Sequence, residues 1–173
     1  MGRLTKRYKY GFTFLELLIV VMVISIFSGL SLGYYNNFSK ASRLDTEANK
    51  LLQTLELVKK KATARDVQGY DSICTQGTNI FDGYIVTITT GGYSFQISCN
   101  LGVNKTQIYA YSLPNGTTII PNSTTIQFKP TPGNTSLVAD ATIIFSNGTG
   151  KCAKIIISST GIIQKKALDT TCT

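Results

Sequence analysis

The chain contains no histidine, and so lacks the commonest general base and the commonest metal ligand. Without that base no serine or cysteine has its usual activator, and nucleophilic catalysis is not expected. Cysteine is absent before Cys74, and Cys74, Cys99, Cys152 and Cys172 include no close C-x-x-C pair of the zinc or redox kind. Acidic residues are few, nine against seventeen basic, giving a formal net charge of +8. Charge of either sign is missing altogether from residues 17–39. No long low-complexity block interrupts the 173 residues, of which 43% are hydrophobic, and the length suits one domain plus an anchor.

What is present is a basic leader followed by an apolar run. Arg3, Lys6, Arg7 and Lys9 precede Gly11-Phe12-Thr13-Phe14-Leu15-Glu16, after which residues 17–27 are almost wholly aliphatic. From Phe12 onward thirteen basic residues face nine acidic ones. The leader's charge therefore mainly sets orientation, with the positive side in the cytoplasm and the rest outside. The segment can lie in a bilayer, and Glu16 alone interrupts it. A carboxylate at the rim of a membrane span is costly and is kept for a partner. A cut between Gly11 and Phe12 would supply one: the new α-amino group, four residues away in the same chain or on a neighbouring copy. An ordinary signal peptide places its small-residue site after the apolar run. Here the cut lies before it, so the apolar helix should survive in the mature protein.

These residues resemble the class III signal of type IV prepilins and pseudopilins: Gly11 before the cut, Phe12 after it, Thr13 next, and Glu16 at the fifth mature position. The resemblance covers about residues 1–65. It implies removal of the leader, 1–11, by a prepilin peptidase, N-methylation of Phe12, and assembly through Glu16 into a filament of like subunits on an inner-membrane platform. It also implies a transmembrane and filament-core half-helix over 12–38 and an amphipathic half over 39–65. Leu44, Ala48, Leu51, Leu55, Val58 and Ala62 recur at steps of four and three, which places them on one face, with Glu47, Lys50, Lys59 and Lys60 largely elsewhere. In many relatives a proline stands near Gly33; none does here, and Gly29 and Gly33 serve either a looser segment or close helix packing.

Beyond the helix, 66–83 reads as irregular and 66–173 as a β-rich head. Two runs, 84–90 and 93–99, flank Gly91-Gly92 as a hairpin. Further strands are predicted at 107–113, 118–120, 125–129, 141–145, 153–158 and 162–165, separated by Pro, Gly and Asn turns. The expected fold is α+β: a long N-terminal helix packed on an antiparallel sheet, the ladle of the pilin family. In a translocated domain four cysteines read as two disulfides, Cys74 with Cys99 and Cys152 with Cys172 being the expected pairing while three connectivities stay open. Residues 126–163 further resemble the head of the H-type pseudopilins and related minor pilins.

Other motifs are weaker. Asp66, Asp71 and Asp82 are too scattered for a dense calcium loop, and no metal or cofactor is expected. Sequons at Asn104, Asn115, Asn122, Asn134 and Asn147 suit a Thr- and Asn-rich surface. Lys151, Lys154, Lys165 and Lys166 form a candidate DNA patch, as in minor pilins that take up DNA, although aromatic stacking residues are absent beside them. The expected role is a non-enzymatic subunit, a minor pilin or pseudopilin, of a type IV pilus or type II secretion pseudopilus. Its place is the cytoplasmic membrane, single-pass with the C-terminal domain outside, and then the filament. A major pilin and a membrane-anchored DNA-binding minor pilin are the alternatives.

Overall fold

The computed structural model describes the backbone of residues 11–70, 74, 80–100, 102–121, 123–131, 135–148, 150–170 and 172, and the side chains of these apart from 30–34 and 104. The chain divides into two units, Met1–Ser39 and Lys40–Thr173. One helix, α1 (Phe14–Ala64, 51 residues), supplies residues to both.

The end of α1 is set by local hydrogen bonding. Arg65 adopts a left-handed φ of 52°, its amide reaches back to the Ala62 carbonyl, and the Asp66 amide bonds the Lys61 carbonyl at 3.0 Å. This is the paired arrangement that closes helices by satisfying their last carbonyls, here with arginine where glycine is usual. The Asp66 carboxylate then takes the Lys61 ammonium and the Gln68 amide, which hold its pKa below the ordinary value, the lysine contributing most.

In the second unit the six-residue stripe of α1, Leu44, Ala48, Leu51, Leu55, Val58 and Ala62, is wholly buried. It packs in one cluster with side chains from two antiparallel sheets. The first sheet, in the order β3-β2-β1-β5, comprises β1 (Phe81–Thr89), β2 (Gly92–Cys99), β3 (Asn104–Ser112) and β5 (Ser123–Phe128). The second, in the order β4-β6-β7-β8, comprises β4 (Thr118–Ile120), β6 (Ala141–Ser146), β7 (Cys152–Ile157) and β8 (Ile163–Lys165). Period two decides which residues face the helix: Tyr84, Val86 and Ile88 from β1, Phe95 and Ile97 from β2, Ile143 and Phe145 from β6, Ile155 and Ile157 from β7. Each large aliphatic side chain so buried contributes about 1.5–3 kcal/mol.

Three expectations need correction. The single sheet is two sheets, since period two says which face of a strand is buried and nothing about its neighbour. Gly83 does not end the loop but lies within β1, at a bulge where the pairing steps from Phe81↔Cys99 to Gly83↔Ser98. Its φ of 125° and a Cβ position that would run into the Phe128 carbonyl oxygen restrict the site to glycine. Glu47, expected away from the stripe, is buried at 4% exposure. Its two oxygens accept from Lys50 Nζ and from the Tyr111 hydroxyl, each at 2.8 Å, so the charge is paired where it is hidden. The Lys50 ammonium, also 3.0 Å from the Tyr111 oxygen, is held well above the usual lysine range, chiefly by the Glu47 hydrogen bond.

Cys74 is joined to Cys99 and Cys152 to Cys172, with Cα separations of 5.4 and 5.6 Å. The first bond ties the segment after α1 to β2; the second ties the C-terminal segment to β7, where Asp169 and Cys152 exchange backbone hydrogen bonds at 2.8 and 2.9 Å.

Truncation of Leu55 to alanine should cost about 2–5 kcal/mol in urea unfolding of the chain in detergent micelles, whereas Leu57→Ala, at a residue 48% exposed, should stay within about 0.5 kcal/mol. Equal losses would contradict the stripe. Burial pushes the Tyr84 and Tyr93 phenols up to about 12. Unfolded tyrosine ionises near pH 10, so the folded state binds these protons more tightly. The resulting stability is fully present below about pH 10 and is lost as pH rises toward 12. In a spectrophotometric titration Tyr84→Phe and Tyr93→Phe should each remove absorbance from the late step and not from the one near pH 10.

Candidate assembly site at the start of the helix

Gly11, Phe12 and Thr13 precede α1 as exposed, non-helical residues. The Thr13 carbonyl accepts from the Leu17 amide at 3.2 Å, the first bond of the helix. Its hydroxyl accepts from the Glu16 amide at 3.3 Å. Thr13 is therefore the N-cap, and Glu16 takes the third helical position, the spacing of a capping box. A carboxylate there also meets the positive end of the helix dipole. The same Thr and Glu that suit a cleavage signal thus also start the helix.

From Phe14 to Phe27 the large apolar side chains are exposed all round, Phe14 at 81% and Val23 still at 45%. The hydroxyls among them do not compete for outside partners: Ser25 and Ser28 donate to the carbonyls of Val21 and Ile24, both at 2.8 Å. Among the described residues no cation pairs with Glu16. This half of the helix thus presents an apolar cylinder with one unpaired charge near its start. Among the described residues no helix is long and apolar enough to cross a membrane; the described side chains of the apolar half run to Gly29, and the sequence stays uncharged to Ser39.

The other candidate residues fall as follows. Lys151, Lys154 and Lys166 lie around β7, with the Lys166 amide on the Lys154 carbonyl at 2.8 Å and Lys154 Nζ 3.9 Å from Asp169. Lys165 leaves this group. Its ammonium turns to α1, 2.6 Å from Asp45 and 2.8 Å from the Asn49 oxygen, because alternation along β8 sends neighbouring side chains to opposite faces. Of the acids weighed for calcium, Asp66 is held by Lys61, Asp82 accepts from the Gly102 amide, and Asp71 lies outside the described residues. Among the described residues no cluster suited to a metal ion occurs.

An α+β chain whose helix opens on a capped Thr-x-x-Glu turn beside a Gly-Phe junction, and continues as an apolar cylinder, belongs to the pilin class. Residues 6–32 match the prokaryotic N-terminal methylation motif. Residues 47–161, well over half the chain, match the family described as type II transport protein GspH, and the chain belongs to that family. It is a pseudopilin or minor pilin, a structural subunit of a type II secretion pseudopilus or a type IV pilus, which assembles with other pilin subunits. No curated protein and no solved structure matches the chain.

Thr13→Val should speed exchange of the Glu16 amide with solvent by about 2–30-fold, the equivalent of the ~0.5–2 kcal/mol that an N-cap supplies. Unchanged exchange in micelle-bound protein would remove Thr13 as the cap.

Proposed function

We propose that a prepilin peptidase cuts this chain between Gly11 and Phe12 and methylates the Phe12 amine, and that the mature protein waits in the cytoplasmic membrane with residues 12–38 in lipid. Residues 39–65 and the β-rich part, 66–173, then lie outside. From there the assembly platform draws it into a filament in which Glu16 pairs with the Phe12 amine of a neighbouring subunit. The observation that carries this reading is the apolar cylinder with Glu16 as its single charge. Moving such a helix from lipid into a bundle of like helices exchanges one apolar surrounding for another. The carboxylate then selects the register, because a buried charge is tolerated only where it finds a partner.

The match over residues 47–161 favours a minor pilin or pseudopilin over the major pilin that builds a pilus shaft. Genes beside this one would separate the two, a secretion operon supporting the pseudopilin. The DNA-receptor reading is weaker: Lys165 is drawn to Asp45 and Lys154 has Asp169 nearby, which leaves little concentrated positive charge for phosphates.

Glu16→Ala should leave peptidase processing intact while filament incorporation falls about a hundredfold or more, since removing one member of a buried ion pair costs about 3–5 kcal/mol. Processed Glu16→Ala subunits entering filaments at the normal level would overturn the pairing. Labelled duplex DNA titrated against the full chain in micelles at low salt should show no retention that Lys151→Gln and Lys166→Gln abolish.

A further inference from the structure

We propose that the face of the first sheet turned away from α1 holds a binding site for a small organic oxyanion, a carboxylate or a phosphate ester, seated between Lys105 and Lys129. The two lysines sit on opposite sides of a half-open cleft of about 530 Å³, whose other lining includes Phe81, Asp82, Ile85 and Ser98. That volume lies in the range of small-molecule sites.

The strand register builds this cleft. Phe95, Ile97 and Cys99 of β2 point into the core with the helix stripe, so Ser98 between them points to the opposite face. Ser98 stands opposite Lys105 on β3 and Gly83 on β1. Beyond the Tyr84↔Phe128 pair, Gly83 comes alongside Lys129, whose Cα is 3.1 Å from where a Gly83 Cβ would be. One row across the sheet therefore reads Lys105, Ser98, Gly83, Lys129. The bulge restricts its third place to glycine, so no side chain fills the space between the lysines.

Ser98 supplies an independent sign of a ligand. It is fully buried, and its hydroxyl has no hydrogen-bond partner. Buried polar side chains are ordinarily satisfied, and an exception needs an explanation. A Cβ on Gly102 would stand 3.8 Å from Lys105 Nζ and 3.9 Å from Ser98 Oγ, which places the ammonium and the hydroxyl around one point. Neither Lys105 nor Lys129 forms an ion pair among the described residues. Asp82 is the opposing charge, but one of its oxygens accepts the Gly102 amide at 2.9 Å, and its backbone carbonyl takes Gln127 Nε2 at 3.3 Å. It thus pins the cleft's edge. Two ammonium groups and a hydroxyl donor against one engaged carboxylate match a group that only accepts hydrogen bonds. Phe81 and Ile85 offer an apolar wall for the ligand's carbon body.

The test is an amide NMR titration of the full chain in detergent micelles with succinate and with glycerol 3-phosphate, succinamide serving as the uncharged control. At least one of the two anions should shift the Ser98, Gly102 and Lys105 amides saturably, and succinamide should not. Lys105→Gln with Lys129→Gln should weaken binding at least tenfold at unchanged melting temperature. Ser98→Ala should weaken it several-fold without lowering the melting temperature, an outcome that a purely structural serine would not produce. Saturation by one anion alone would identify the oxyanion. Shifts with neither anion, or binding that survives the double lysine variant undiminished, would overturn the proposal.

Discussion

An apolar helix that carries a single carboxylate near its start is comfortable in few places. Water leaves the aliphatic surface exposed, and lipid or a helical bundle leaves the charge without a partner unless a cation is provided. From Phe14 to Gly29 α1 has this property, because Ser25 and Ser28 turn back onto their own helix and Glu16 is the one charge there. The Thr13 cap places that carboxylate in the first turn, next to the bond whose cleavage would create a new amine. Charge, cap and cleavage position are together what the proposed pairing of Glu16 with a partner subunit's freed N-terminus would need.

The rest of the chain gives the second half of α1 a different solution. Its stripe is covered within the molecule, by two sheets that share one apolar cluster. Each sheet is also tied to the helix by a polar group from an edge strand. Tyr111 of β3 reaches Glu47, and Lys165 of β8 reaches Asp45 and Asn49. Such hydrogen bonds to a charged group are directional where apolar packing is not. Asn147, whose amide donates to the Lys40 carbonyl at 3.1 Å, adds a third tie at the start of this unit.

How much of this was legible beforehand follows from what each pattern encodes. The helical stripe from Leu44 to Ala62 was readable residue by residue, because burial on a helix repeats at 3.6. The strands were readable to within a few residues for the same reason at period two. Pairing order was not, so the division into two sheets had no signal in alternation. Gly83 was misleading since glycine marks turns and bulges alike, and only its partner strands tell them apart. Glu47 and Lys165 look like solvated charges until Tyr111, sixty-four residues from the former, and Asp45 come into place. The methylation motif could be recognised from the sequence, since it is local and depends on no distant contact, whereas the Thr13 cap within it was not read although Thr-x-x-Glu ahead of an apolar run is its signal.

Central to the proposed assembly is that the mature chain begins at a freed Phe12 whose amine serves Glu16. It is tested most directly by the intact mass and N-terminal sequence of the protein recovered from membranes of cells with and without the prepilin peptidase. A chain that begins at N-methylated Phe12 only when the peptidase is present is the result expected. A chain that keeps residues 1–11 in both strains would contradict it, because Glu16 would then have no freed amine to meet.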